Sequence, residues 1–473
     1  MKPLPPNMLA MELDRTACYR AIQARDARFD GRFFTAVHTT GIYCRPICPA
    51  RCPKLANVDF YPSAAAAQAA GFRPCLRCRP ECSPELGAWR GTSSTVSRAL
   101  ALIAEGGLDD AQASVDSLAL RLGIGERQLR RLFERHLGAS PIAVAQTRRL
   151  LLAKQLIHET NLRMVDIAFA AGFRSLRRFN DTFRKLYGRP PSALRRETAA
   201  TATRGISLTL GYAAPYDWPA MLESLAAQAI PGVEVVTRDG YRRTIELAGA
   251  RGTLEVAPLR KKHAISAKLE LADVRALPLA IARVRSLFDL NSDVAAIGAQ
   301  LREDPGLEPL VKARPGLRVP GAWDAFELAA RELLGAKTAP LVAALGESLP
   351  APRGGLSTWF PSAERLATAE LGRFGLARER ARALRALAEA VVADPSALAR
   401  QSDLESTLAR LRALPGMSEA LAQTIAMRAL REPDGFPFRD RALCARAERW
   451  RPWRAYAAQH LFESGEALRE EVA

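Results

Sequence analysis

The chain has 473 residues, 48% of them hydrophobic, with 68 Lys/Arg against 50 Asp/Glu and a formal net charge of +18. That length exceeds one hydrophobic core and predicts about three or four domains. The charge favours a polyanionic partner, with nucleic acid as the default. No apolar run approaches the roughly 20 residues that span a bilayer. Met1-Lys2-Pro3-Leu4-Pro5-Pro6 has no apolar signal-peptide core, so no membrane partner and a cytoplasmic location are expected.

The first segment, 11–82, mixes strand-like pieces at 33–37 and 58–61 with a helix over Ser63–Ala70, capped by Ser63 and stopped by Gly71. Residues 82–95 are polar, contain Pro84, Gly87 and Gly91, and read as a linker. From Val96 to Arg196 the apolar spacing is helical throughout, broken at Gly106-Gly107, Gly123, Gly138, Asn161, Gly172 and Gly188. Glu197–Gly205 reads as a second linker. Strands are expected at 206–210, 233–237, 242–247, 252–256 and 263–269, with one helix over Trp218–Gln228. Beyond Asp273 the spacing predicts helices only. The charge is concentrated in the middle, where residues 116–200 hold 17 Lys/Arg against 7 Asp/Glu.

Seven of the eight cysteines lie in the first 82 residues: Cys18, Cys44, Cys48, Cys52, Cys75, Cys78 and Cys82. A reducing compartment argues against disulfides, and the crowding argues for metal. Cys44-x3-Cys48, a 26-residue gap and Cys75-x2-Cys78 make two close pairs able to converge on one tetrahedral zinc ion. Closed structural zinc sites have the same pattern, so spacing alone leaves a purely structural metal open. Cys52 and Cys82 read as unligated surface cysteines.

In the basic middle, Val115–Leu122, a turn at 123–125 and Glu126–Leu137 read as one helix-turn-helix unit. Met164–Ala171, a turn at 172–173 and Ser175–Tyr187 read as a second. Arg127, Arg130, Arg131 and Arg135 share much of one second-helix surface, and Arg174, Arg177, Arg178, Arg184 and Lys185 share the other. A charged helix face is also what solvated helices show, but here it recurs in two units.

Three family resemblances follow from these residues. Asp30-Gly31-Arg32-Phe33, Thr39-Thr40-Gly41-Ile42-Tyr43-Cys44-Arg45-Pro46-Ile47-Cys48 and Ala70-Gly71-Phe72-Arg73-Pro74-Cys75 resemble the N-terminal domain of the Ada adaptive-response regulators, which sense DNA methylphosphotriesters. This resemblance implies that Cys44 accepts a methyl group irreversibly while bound to zinc with Cys48, Cys75 and Cys78. It further implies that Thr40, Arg51, Arg73 and Arg77 grip the phosphate backbone. Asp166–Phe173, Phe179-x3-Phe183-Arg184 and Tyr187-Gly188-Arg189-Pro190-Pro191 resemble the AraC-type DNA-binding domain, which implies transcription activation and a partnership with RNA polymerase on promoter duplex DNA.

Tyr212–Trp218, Leu287–Leu290, Arg314–Gly321 and Arg449–Tyr456 resemble the AlkA-type 3-methyladenine DNA glycosylases. Such enzymes flip an alkylated nucleotide from the duplex and cleave its glycosidic bond. Leu414-Pro415-Gly416-Met417-Ser418 then corresponds to a phosphate-binding helix-hairpin-helix turn, with Gly416 and Ser418 at the DNA. Asp440 takes the place of the catalytic aspartate; its sequence setting between Arg439 and Arg441 also fits a surface ion pair. The family's second hairpin glycine is replaced by Ser418 and its stacking aromatics by Ala420 and Thr424. The chain also departs from it after Gly335 and after Leu443. No Pro-Cys-His-Arg sequence is present, so an O6-alkylguanine transferase domain is not expected.

The expected architecture is a multidomain α+β chain. A zinc-binding α/β domain (1–88) precedes an all-α double helix-turn-helix domain (96–198). A small antiparallel β-sheet domain (206–285) and an all-α helix-hairpin-helix glycosylase-like domain (286–473) follow. The expected function is an alkylation-damage response protein, cytoplasmic and nucleoid-associated, that unites methyl transfer, transcription activation and base excision. The alternative is a regulator whose glycosylase-like half only binds DNA.

Overall fold

A computed structural model describes residues 14–85, 94–109, 113–195, 205–247, 249–259 and 262–465. Most of both expected linkers, 86–93 and 197–204, lies outside the described residues. No helix among the described residues is long and apolar enough to cross a membrane.

The N-terminal part is built on a four-stranded sheet in the order Val58–Tyr61, Phe34–Val37, Ile42–Cys44, Arg73–Pro74. The first three strands are antiparallel, and the last two run parallel with Ile42 opposite Arg73 and Tyr43 opposite Pro74. The sequence pattern did not announce Ile42–Cys44 or Arg73–Pro74. Both are too short to show alternation, and a proline normally argues against a strand. Ala64–Ala69 is helical as expected, with Ser63 Oγ accepting from the Ala66 amide and Gly71 at φ 93° ending the turn.

The two helix-turn-helix units flank one long helix, Pro141–Glu159. The first comprises Val115–Arg121 and Glu126–Leu137, the second Met164–Ala170 and Leu176–Tyr187. Ser114 and Ser175 cap the first helix of one unit and the second helix of the other, and Gly138 and Gly188 close the C-termini of the two second helices in the left-handed region. Leu118, Leu129 and Phe133 fill the first unit, and Phe179 and Phe183 the second.

Five antiparallel strands follow, in the order Ile206–Gly211, Ala264–Leu271, Ala250–Pro258, Gly240–Leu247, Glu234–Thr237. One core continues from the second helix-turn-helix unit through this sheet to helix Leu277–Leu287. Helices dominate thereafter, with one exception. The expectation of helices only beyond Asp273 is overturned by a hairpin of Ser348–Arg353 and Leu356–Thr358. Pro350 reads as a helix breaker in the sequence, and Pro352 follows it two residues on. The strand survives them because its backbone is exposed and its edge is unpaired on one side. Thr244 Oγ1 donates to the Thr358 carbonyl at 2.9 Å and ties the hairpin to the larger sheet.

Helices Leu404–Arg412 and Glu419–Arg428 form the hairpin that carries Gly416, at φ 76°. A Cβ at Gly416 would collide with Ala383 Cβ on helix Arg378–Ala393. Left-handed strain and overpacking therefore coincide there. Gly416→Ala should destabilise this helical region by about 1–3 kcal/mol, read as a lower urea midpoint; an unchanged midpoint would contradict the packing.

Candidate metal centre and nucleic-acid interface

Parallel pairing delivers the first two ligands. Strands Ile42–Cys44 and Arg73–Pro74 run side by side, and each emerges directly into a cysteine, with the Cys75 amide donating to the Tyr43 carbonyl at 3.0 Å. A tight turn closed by the Cys48 amide on the Arg45 carbonyl, 3.1 Å, returns Cys48. Leu76-Arg77 returns Cys78. The four sulfur atoms lie within 4.8 Å of one another. Tetrahedral zinc with bonds of about 2.3 Å to sulfur separates its ligands by about 3.8 Å, within that limit. The donor set and its spacing fit, and the cofactor is one zinc ion on Cys44, Cys48, Cys75 and Cys78. Cys75 and Cys78 are buried; Cys44 and Cys48 are half-buried.

The sulfurs differ in their hydrogen bonds. The Arg45 amide donates to Cys78 Sγ and the Arg77 amide to Cys75 Sγ, each at 3.3 Å. Among the described residues no backbone amide is bonded to the Cys44 sulfur. The Arg45 guanidinium is held by the buried Asp30 carboxylate and donates to the Cys78 carbonyl at 3.3 Å, while Ser83 Oγ donates to Asp30 at 3.3 Å. This locks the chain immediately after Cys44.

The remaining N-terminal cysteines separate. Cys52 is exposed, in keeping with a surface thiol. Cys82 is not a surface residue: it is buried, and burial, reinforced by Glu159 and Glu81, pushes its thiol up to about 12. Burial does the same to Cys18.

Thr40, Arg51 and Arg77 are exposed and Arg73 is half-buried. Arg127, Arg130, Arg131, Arg174, Arg177 and Arg178 are all exposed on the second helices of their units or just before them. Arg130 pairs with Glu126 at 2.9 Å, and Arg174 donates to the Asp109 carbonyl at 3.2 Å. Gly416 and Ser418 are exposed in the hairpin turn, where Ser418 Oγ accepts from the Leu421 amide at 3.2 Å.

Asp440 is exposed at the start of helix Arg441–Ala447, where Oδ1 accepts from the Leu443 amide at 2.6 Å. Among the described residues it makes no ion pair with Arg439 or Arg441, and the Leu443 amide is its hydrogen-bond partner. The aromatic rings expected nearby are absent at Ala420 and Thr424, whose hydroxyl donates to the Ala420 carbonyl. A different pair occurs. Phe438, two residues before Asp440, stacks on Phe462 with centroids 4.6 Å apart, and Phe462 is 45% exposed. The sequence reading missed this pair, because helix Arg454–Ser464 is buried all round over Ala455–Leu461 and no periodicity marks Phe462 as exposed.

Comparison with known proteins matches three family models: the metal binding domain of Ada over residues 17–81, a helix-turn-helix domain over 118–197, and the AlkA N-terminal domain over 207–324. A protein of Mycobacterium tuberculosis, described as a probable bifunctional transcriptional activator/DNA repair enzyme AlkA, is 42% identical over 483 residues. The match spans 96% of this chain and 97% of that one. The chain belongs to that family. Its two parts also match separate proteins of Escherichia coli. DNA-3-methyladenine glycosylase 2 is 31% identical over 54% of this chain and 96% of its own length. The bifunctional transcriptional activator/DNA repair enzyme Ada is 37% identical over 28% of this chain and 35% of its own. This chain joins in one polypeptide a part similar to about a third of Ada and a part similar to nearly the whole glycosylase.

Burial separates the cysteines chemically. With zinc bound, a thiol alkylating reagent at pH 8 should label Cys52 early and leave Cys18 and Cys82 unmodified until the chain is denatured. Peptide mass mapping reads this, and equal labelling of Cys82 and Cys52 would contradict the burial.

Proposed function

We propose that this chain is an alkylation-damage response protein that takes a methyl group from a DNA methylphosphotriester onto Cys44. Methyl transfer then strengthens promoter binding through the two helix-turn-helix units. The observation that carries the reading is the unequal treatment of four clustered sulfurs. Cys75 and Cys78 each accept an amide hydrogen bond, which draws electron density from sulfur, and Cys48 accepts one from the Ala50 backbone, while Cys44 accepts none from the backbone and is not buried.

Zinc on these sulfurs supplies thiolates at neutral pH without a general base. The chain's own residues do the rest. Thr40, Arg51, Arg73 and Arg77 hold the flanking phosphates, and the Asp30–Arg45 pair fixes the backbone that presents Cys44. The Cys44 sulfur attacks the methyl carbon. A sulfur–carbon bond forms as the carbon–oxygen bond breaks, and the electron pair leaves on oxygen to restore a phosphodiester. The thioether does not revert, so each chain reacts once.

The thiolate cluster loses one negative charge in the process, and repulsion from DNA phosphate falls. Arg127, Arg130 and Arg131 face one major-groove segment, and Arg174, Arg177 and Arg178 another. RNA polymerase is the partner that an activator of this kind requires, and the nucleoid of the cytoplasm is its place. The proposed division is 1–88, 96–198, 206–285 and 286–473.

In the C-terminal half, Gly416 and Ser418 approach phosphate, and the Asp440 carboxylate stabilises the cationic sugar as an alkylated base departs. The alternative is a DNA-binding half without excision, favoured by Ala420 and Thr424. The Phe438–Phe462 pair beside Asp440 favours activity, because a stacked aromatic surface attracts a cationic base.

After incubation with methylphosphotriester-containing duplex, mass spectrometry should find one added methyl on Cys44, and none there would refute the sensor. On duplex containing 3-methyladenine, the wild-type chain should generate abasic sites and Asp440→Asn should lose at least about a hundredfold in rate, of the order that removing one transition-state charge contact costs. Equal background from both would leave the DNA-binding alternative standing.

A further inference from the structure

The zinc loop is gripped from outside its own sheet. Lys154, on the long helix Pro141–Glu159, is fully buried and donates to the Cys75 carbonyl at 3.0 Å and to Glu81 at 2.5 Å. Leu76 packs against the core shared by the second helix-turn-helix unit and the five-stranded sheet. Arg79 follows the ligand Cys78 directly and sits in the left-handed region at φ 55°. Its guanidinium reaches Glu159, on the same long helix, at 2.6 Å.

Glu159 does not stop there. Its other oxygen accepts from the Thr209 amide at 3.1 Å, and Gln155 donates both to that carboxylate and to the Thr209 carbonyl, each at 2.8 Å. Thr209 lies on Ile206–Gly211, the edge strand of the sheet that opens the glycosylase-like half. Two side chains of the DNA-binding domain thus satisfy both backbone groups of one residue on an open sheet edge. Gly211 on the same strand lies so close to the Cys82 carbonyl that a Cβ there would collide with it. Three parts of the chain therefore meet at one junction, one residue away from a zinc ligand.

We infer that the Cys78–Arg79–Glu159–Thr209 chain, braced by Lys154 on Cys75, transmits the methylation state of the zinc centre to the edge of the glycosylase-like half. The inference rests on Cys44 as the methyl acceptor and extends that reading to the other half. Methylation replaces one charged ligand with a neutral thioether, and the loop bearing Cys75 and Cys78 must readjust. That loop cannot move alone. Shifting the Cys75 carbonyl leaves the buried Lys154 ammonium with Glu81 alone, and shifting Arg79 withdraws the cation that holds Glu159. Buried charged groups that lose a partner are costly, so the helix and strand contacts readjust with the loop.

Hydrogen exchange on the full zinc-loaded chain, read at residues 206–211, tests the coupling. One sample reacts with methylphosphotriester-containing duplex and its control with the same duplex lacking the methyl group. Mass spectrometry on both records where methyl was added, so failed transfer and failed coupling are distinguished. Exchange at Thr209 should rise about fivefold on methylation, the factor that one net hydrogen bond is worth. In Glu159→Gln, and in Lys154→Met if it folds, the methylated and control samples should exchange alike at this strand. Cys44→Ala changes the ligand set without methyl transfer and should reproduce the rise in an otherwise wild-type chain. Unchanged exchange at 206–211 in a chain shown to be methylated, or in Cys44→Ala, would overturn the coupling. An undiminished rise in Glu159→Gln would also overturn it.

Discussion

Four sulfur atoms within 4.8 Å of one another cannot all be ionised without a cation among them. Two unit charges 4 Å apart repel by about 4 kcal/mol at an effective dielectric of 20, and four thiolates make six such pairs. A divalent ion turns this repulsion into cohesion, and the surrounding chain is arranged around that need. The two-residue pairing of Ile42–Tyr43 with Arg73–Pro74 brings the cysteine pairs together. The Asp30–Arg45 pair braces one ligand segment, and Lys154 with Glu81 braces the other. These buried ion pairs contribute fixed geometry more than net stability.

The same bracing joins the zinc domain to the rest of the molecule. Lys154 and Glu159 belong to the helix that separates the two DNA-reading units, and Glu159 also closes the edge of the next sheet. A second buried contact, Arg98 on Glu432 at 2.9 Å with Arg400 on the same carboxylate at 2.6 Å, ties helix Ser94–Ala104, which packs on the first helix-turn-helix unit, to the C-terminal helical region. A chain that fuses a sensor, a reader and a glycosylase-like half thereby becomes one packed body with charged seams.

Much of this was legible in the sequence for physical reasons. Helix-turn-helix periodicity was strong because each helix has one buried face and glycine-marked ends, as at Gly138 and Gly188. In the middle sheet, alternation is clearest in Ile206–Gly211 and Ala264–Leu271, where one face is buried. The zinc site was legible because thiolates this close need a metal. Three features were not. The hairpin at 348–358 hid behind its prolines. The strands Ile42–Cys44 and Arg73–Pro74 were too short to have a period. Cys82 looked like a spare surface thiol because its burial comes from residues distant in sequence, among them Gly211. Lys154 left a faint signal: a lone charge among Leu150, Ala153, Leu156 and Ile157 marks a helix face that must meet a partner anion.

The central claim is that one chemical event at Cys44 changes how the whole basic molecule meets DNA. The direct measurement is duplex affinity before and after stoichiometric methylation, across a range of salt concentrations. Methylated chain should bind more tightly, with the gain largest at low ionic strength and shrinking as salt screens the remaining charge. Equal affinities at every salt concentration, in samples shown to differ by one methyl group on Cys44, would contradict it.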